Sequence, residues 1–202
     1  MRVPFYYPAS IVNFAPLLYK GDIDDGKRLL IHTQKKHQGV FEMQILILYH
    51  SKGGNTRKLA EAVAKGVEET EGATALMRKT SEVSKEDFLN SAGIIAGSPV
   101  YFGGMAAELK KVFDDFVGTR KRMEDKVGAA FTTSGNATGG KETTMMSIIQ
   151  ALLIYGMIIV GDPMSATGHY GVACAGTPDD ETLKNGMEMG RRVAQLALKL
   201  EG

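Results

Sequence analysis

From residue 43 onward the sequence alternates short apolar runs with helical patterns, and that alternation constrains the fold more than any other feature. QILILY at residues 44–49 is an almost unbroken apolar run of strand length, the pattern of a strand covered on both faces, as a parallel sheet requires. A glycine-bearing turn leads into a predicted helix over 56–71, where Leu59, Ala60, Val63, Ala64 and Val67 recur at i, i+3 and i+4. Gly72 stands where that helix should stop. ATALMRK from Ala73, GIIAGS from Gly93, VGAAFTT from Val127 and GMIIVG from Gly156 read as four further strands. Helical patterns separate or follow them at 84–90, 106–117, 142–155 and 179–200, the last with Leu183, Met187, Gly190, Val193, Ala194 and Leu198 on one stripe.

A series of this kind implies right-handed crossovers and helices on both faces of a five-stranded, mostly parallel sheet. Ligands of such sheets bind outside the carboxyl ends of the strands, where the strand order reverses. Function is therefore sought in the loops after the first, third, fourth and fifth strands.

Composition narrows the function classes. Hydrophobic residues at 44% and charged residues at 23% are globular averages, which exclude wholesale disorder. No apolar run is long enough to span a bilayer as a helix, so membrane insertion is not expected. With 24 Lys and Arg against 23 Asp and Glu, nothing in the charge balance would hold a phosphate backbone, and nucleic acid is not an expected partner. Cys174 is the single cysteine and can form no internal disulfide, which points to a reducing, cytoplasmic compartment.

Residues 1–42 lack periodicity and contain Pro4, Pro8 and Pro16, three of the six prolines. The apolar stretch over 3–19 is interrupted by those prolines and followed by no small-residue cleavage pattern, unlike a signal peptide. The expected organisation is an N-terminal extension over 1–42, poorly ordered, and one domain over 43–202.

The loop HSKGGNT at residues 50–56 runs directly into a helix. Two readings fit it. Backbone amides at Gly53 and Gly54, hydroxyls of Ser51 and Thr56, the Asn55 amide and the helix dipole make an anion cradle; or the loop is a tight turn with Ser51 or Asn55 capping the helix. The spacing is neither that of a Walker A loop nor G-x-G-x-x-G. The loop SPVYFGGM at 98–105 offers Pro99, aromatic Tyr101 and Phe102, and Gly103 and Gly104, which either wall a flat ring or cap the sheet edge. TTSGNATGGKET at 132–143 gathers hydroxyls and glycines at another helix start. The stretch over 162–180 is the longest irregular one after Met43 and contains His169 and Tyr170, which contact substrate or simply face solvent. No nucleophile elbow, HExxH or metal-ligand spacing of the four histidines is present. No catalytic residue is assigned, so the chemistry is expected to come from a bound cofactor.

The segments YHSKGGNTRKLAEAVAKG, GSPVYFGGMAAELKKVFDD, the S-G-x-x-x-G-G loop after AAFTT, and YGMIIVGDP together resemble the flavodoxin-like NAD(P)H:quinone oxidoreductases of the WrbA type. The resemblance covers about residues 43–202. It implies a flavodoxin-like three-layer sandwich with strand order 2-1-3-4-5, FMN as cofactor, NAD(P)H as electron donor, a quinone or other small redox acceptor, and a homodimer or homotetramer. By position, it implies that Ser51, Lys52, Gly53, Gly54, Asn55 and Thr56 hold the FMN phosphate. Pro99, Val100, Tyr101, Phe102 and Gly103 would flank the isoalloxazine. Thr133, Ser134, Gly135, Asn136, Ala137, Thr138 and Gly139 would bind the ring edge and ribityl chain, and Tyr155 would approach the flavin across a subunit boundary. The chain departs from the family in carrying Tyr101 where an arginine is usual, Tyr155 where a histidine is usual, and no tryptophan. A flavodoxin-like single-electron carrier is the alternative; such carriers tend to be acidic, whereas residues 43–202 hold 18 basic and 19 acidic side chains.

Overall fold

The computed structural model describes residues 42–201; the expected extension over 1–42 lies, but for Glu42, outside the described residues. The elements are β1 (Met43–Tyr49), α1 (Asn55–Glu68), β2 (Ala73–Lys79), α2 (Lys85–Asn90), β3 (Gly93–Pro99), α3 (Ala107–Asp115), a 3-10 turn (Val117–Arg122), β4 (Val127–Ser134), α4 (Lys141–Ile154), β5 (Ile158–Ile159), β6 (Val172–Ala175) and α5 (Asp180–Glu201). All strand pairs are parallel and the order is β2-β1-β3-β4-β5, the order expected.

One correction concerns strand number. Six strands form rather than five, and the outer position beside β4 is divided. The start of β4 pairs with β5 through Val127 and Gly128, and its end pairs with β6 through Phe131 to Ser134. The stretch over 162–180 is therefore not wholly irregular: after leaving the sheet at Val160 the chain re-enters it at Val172. Gly171 and Gly176, both at positive φ, bracket the new strand and explain why VACA reads as loop in the sequence.

Alternation along β1 sorts its side chains between two cores. Ile45, Ile47 and Tyr49 pack with Leu59, Val63 and Val67 of α1 and with Met189, Val193 and Ala197 of α5. Leu46 and Leu48 turn the other way, toward Phe88 of α2, Leu109 and Phe113 of α3, and Ile148 and Leu152 of α4. Glycine lets α1 and α5 approach closely: a Cβ at Gly66 would overlap the Met187 carbonyl, and one at Gly190 the Val63 carbonyl. The order reverses between β1 and β3, which places the binding crevice at their carboxyl ends.

Candidate functional site

The loop after β1 is built as a helix entrance. Gly54 adopts φ 92° and precedes α1, a conformation that costs glycine little and other residues much. Ser51 Oγ accepts from the amides of Gly54 at 3.2 Å and Arg57 at 3.3 Å, but the N-cap position belongs to Gly54 and Asn55 is the first helical residue, so neither expected residue is the N-cap. The first turn of α1 carries no acidic residue, leaving the positive end of the helix uncompensated. Lys52, Gly53 and Gly54 are exposed, Ser51 and Asn55 half-buried, and a side chain added at Gly53 or Gly54 would meet no atom within 4 Å. The backbone at Gly53 and Gly54 thus borders open space rather than packed protein, room that a phosphate at the helix start needs, with the Gly54 amide already bonded to Ser51 Oγ.

Thr56 differs from its neighbours. It is buried, and its Oγ1 lies 2.8 Å from Oγ1 of the equally buried Thr133 at the end of β4. A hydroxyl offers one donor and two acceptor positions, so Thr56 can accept from Thr133 and keep its own proton for an anion. The pair ties the first loop to the fourth.

The loop after β3 closes on itself. Tyr101 and Gly104 exchange backbone hydrogen bonds of 3.0 and 3.1 Å, and the two residues between them, Phe102 and Gly103, have φ 51° and 78°. Positive φ at both central positions is the signature of a type I′ turn. Phenylalanine rarely adopts it, and Phe102 projects fully into solvent while Tyr101 is half covered. Behind the turn, Val100 N–H donates to Thr133 O at 2.8 Å. The buried Ser98 hydroxyl accepts from Ala106 N–H at 2.8 Å and fixes the start of α3. Tyr101 and Phe102 thus form an exposed aromatic wall on an anchored base, and Pro99 begins the loop that carries them.

The loop after β4 completes the crevice. Thr133 and Ser134 are buried in the sheet, whereas Gly135, Asn136, Ala137 and Thr138 are exposed. Ser134 Oγ donates to Asn136 O at 2.6 Å, and Gly139 N–H donates to the same carbonyl at 3.1 Å. Gly140 has φ 92°, and a Cβ there would lie 3.0 Å from Gly103 Cα. The loops after β3 and β4 therefore touch, and both expose backbone toward the crevice.

Tyr155 lies outside the crevice of its own chain. Helix α4 leaves the carboxyl edge at Lys141 and returns to the amino edge, where Gly156 O accepts from Asp125 N–H at 3.0 Å, two residues before β4 begins. The phenol is buried and donates to Phe113 O at 2.6 Å, with Phe88 and Phe113 packed around the ring. Burial pushes its pKa up to about 12, with the Asp114 charge adding to the effect. It is a core residue at the far end of the sheet. Ile148, Ile149 and Leu152 of α4 are likewise turned into the core, whereas Leu153 and Ile154 are exposed.

Two residues near the crevice were not singled out from the sequence. Asp162, at the end of the segment carrying β5, is buried, and its carboxylate accepts from the amides of Thr167, Gly168 and His169 and from the Thr167 hydroxyl. Burial alone would raise its pKa, but those hydrogen bonds outweigh it and hold the carboxyl below the usual range. It gathers the 162–169 turn around one charge, leaving His169 and Tyr170 exposed. His50 is the second; its imidazole lies edge-on to the Tyr101 ring, with centroids 6.1 Å apart. Cys174 is buried and its thiol pushed up by that burial, with Asp179 adding to the shift, the state of an unreactive thiol. Among the described residues, no group of three acidic, histidine or cysteine side chains is placed to hold a metal ion, and no helix is long and apolar enough to cross a membrane.

Known proteins are similar to this chain in sequence and fold. Residues 82–171 match the NADPH-dependent FMN reductase family. An NAD(P)H dehydrogenase (quinone) of Archaeoglobus fulgidus is 36% identical over 189 residues, covering 78% of this chain and 98% of that protein. A flavodoxin of Aquifex aeolicus is 34% identical over 166 residues, covering 79% and 90%. Among solved structures, a WrbA-like flavodoxin from Agrobacterium tumefaciens superposes with a TM-score of 0.67 at 25% identity, covering 78% of this chain and 98% of that one.

Proposed function

The chain belongs to the flavodoxin-like NAD(P)H dehydrogenase (quinone) family, and from that premise we propose that its crevice binds FMN and serves electron transfer from NAD(P)H to a quinone or similar small acceptor. One observation carries the assignment to this site: three loops at the topological switch, tied by the Thr56–Thr133 and Val100–Thr133 hydrogen bonds, present an exposed glycine-bearing helix start at one end and an exposed aromatic wall at the other. An anionic tail followed by a flat heteroaromatic ring has that shape and polarity.

Ser51 to Thr56 are the residues that would hold the phosphate, through amides and hydroxyls at the start of α1. Gly135 to Gly139 would meet the polar ribityl chain and ring edge, where their freedom from side-chain bulk lets amides approach. Pro99 to Gly103 would supply the wall against which planar reactants stack. When bound, FMN supplies the two-electron exchange between nicotinamide and acceptor. The chain contributes orientation and exclusion of water, not a proton-transfer dyad.

The working domain in this reading is residues 43–202. The lone, unreactive cysteine supports a reducing, cytoplasmic setting. A homodimer or homotetramer is supported by the exposed apolar side chains of Val117, Leu153 and Ile154, and light scattering at micromolar concentration tests it. The flavodoxin relative makes a single-electron carrier the second reading, against which stands the near-equal charge count of the domain. Purification followed by mass analysis of the released chromophore decides the cofactor: FMN is expected, and FAD or no flavin would remove the proposal.

A further inference from the structure

His50 sits between the cradle and the aromatic wall and is used by neither. It follows the last residue of β1 and precedes Ser51, and its backbone N–H donates to Gly97 O at 3.0 Å, extending the sheet pairing by one residue. Its position is therefore as rigid as the sheet. The side chain reaches two further elements: Nδ1 lies 3.3 Å from Thr80 Oγ1 just beyond β2, and Nε2 lies 3.8 Å from Glu108 Oε1 in the first turn of α3. Only 17% of the side chain is accessible to solvent. Nδ1 is within hydrogen-bond reach of Thr80, Nε2 lies beside the Glu108 carboxylate, and the imidazole and Tyr101 rings meet edge to face at an interplanar angle of 70°.

Tyr101 needs such a partner. The type I′ turn fixes its backbone through Gly104 but leaves the side chain 38% exposed, and His50 is its one aromatic neighbour within stacking range among the described residues.

We propose that His50 is the positioning residue of the Tyr101 wall, holding the ring at the angle against which the planar acceptor docks, and so acts as a determinant of acceptor affinity. This rests on the reading above that Tyr101 borders the flavin. The relevant property of His50 is a ring held edge to face with Tyr101 from a rigid strand end, with Thr80 as its hydrogen-bond partner and Glu108 beside it. An edge-to-face aromatic pair contributes enough to change binding by about two- to tenfold when lost.

Two replacements separate ring packing from hydrogen bonding. His50→Phe keeps an edge toward Tyr101 without the polar contacts, and His50→Gln keeps a polar contact toward Thr80 without the ring. In ring-labelled protein, with the Tyr101 signal assigned through Tyr101→Phe, His50→Gln is expected to shift that signal toward a freely rotating exposed tyrosine and His50→Phe to preserve most of its dispersion. In flavin-loaded protein, His50→Gln is expected to raise the benzoquinone KM about two- to tenfold with kcat held, and His50→Phe to restore it. An unchanged Tyr101 signal in His50→Gln overturns the proposal, as does a loss of thermal stability unaccompanied by any change in that signal or in KM. The resonance is read without flavin, so a failure to bind FMN would remove the functional reading while leaving the positioning of Tyr101 decided.

Discussion

Replacing Thr56 with valine removes one hydroxyl from the centre of the site at almost constant volume. The hydroxyl lies 2.8 Å from that of Thr133, and both residues are at least 96% buried. A typical intramolecular hydrogen bond contributes about 0.5–1.5 kcal/mol net, but leaving a buried partner unsatisfied costs about 1–3 kcal/mol. Thr56→Val and Thr133→Val should therefore each destabilise the flavin-free protein by about 1–3 kcal/mol. The double variant leaves no orphaned hydroxyl, so its loss should be smaller than the sum by about 1 kcal/mol. For a domain of this size each kcal/mol moves Tm by roughly 2–4 °C, and urea titration of the four proteins gives the coupling directly. FMN affinity adds a second axis. If Thr56 accepts from Thr133 and donates to phosphate, Thr56→Val loses a charge-assisted bond of about 1.5–3 kcal/mol, a fall of roughly tenfold to a hundredfold. Thr133→Val loses only orientation and should fall by less. Additive destabilisation would refute the coupling between the two loops, and an unchanged FMN affinity in Thr56→Val would remove that residue from the phosphate cradle.

Three other perturbations probe the frame around the site. Tyr155→Phe leaves Phe113 O without its donor and should cost about 1–3 kcal/mol in thermal denaturation while FMN affinity stays the same; a weakened affinity would return Tyr155 to the site. Asp162→Asn replaces an acceptor of four hydrogen bonds and should cost at least about 1.5–3 kcal/mol at neutral pH. Because the folded carboxyl is held below its unfolded value of about 3.9, its stabilisation is complete above that pH and disappears as pH falls through the folded pKa; the two proteins should converge in acid denaturation, and a constant gap down to the lowest pH would contradict this. Gly190→Ala drives a methyl into the Val63 carbonyl and should cost about 1–3 kcal/mol in urea unfolding by forcing α1 from α5, whereas a neutral result would show that the helices separate freely.

Most of the frame was legible in the sequence because β1, β3 and β4 are buried apolar runs and α1 and α5 carry apolar stripes at i, i+3 and i+4. Ile45 to Leu48 are wholly buried, as a doubly covered strand predicts, and Ser84 begins α2 with a reciprocal capping box to Asp87. The loops over 50–56, 98–105 and 132–143 converge because topology forces them to the same edge. Strand β6 was not legible: four residues between two positive-φ glycines carry too little periodicity to separate from loop. Tyr155 ends at the amino edge because a helix returning from the carboxyl edge must end there, so an approach to flavin would have to come from a second copy of the chain. Asp162 left a faint trace, a single acid before small residues, and its role arises from backbone amides that no side-chain pattern records. His50 was hidden for a related reason, since its partners come from β2, β3 and α3, distant in sequence and joined only by the fold.

The central claim is that this crevice passes electron pairs between a nicotinamide and a quinone, and anaerobic stopped-flow mixing of the FMN-loaded protein tests it most directly. Rapid bleaching of the flavin absorbance by NADH or NADPH is expected, followed by full recovery in a single phase on mixing with benzoquinone. Sluggish reduction by both nicotinamides, with reoxidation in two separate one-electron phases, would contradict it and identify the protein as a carrier.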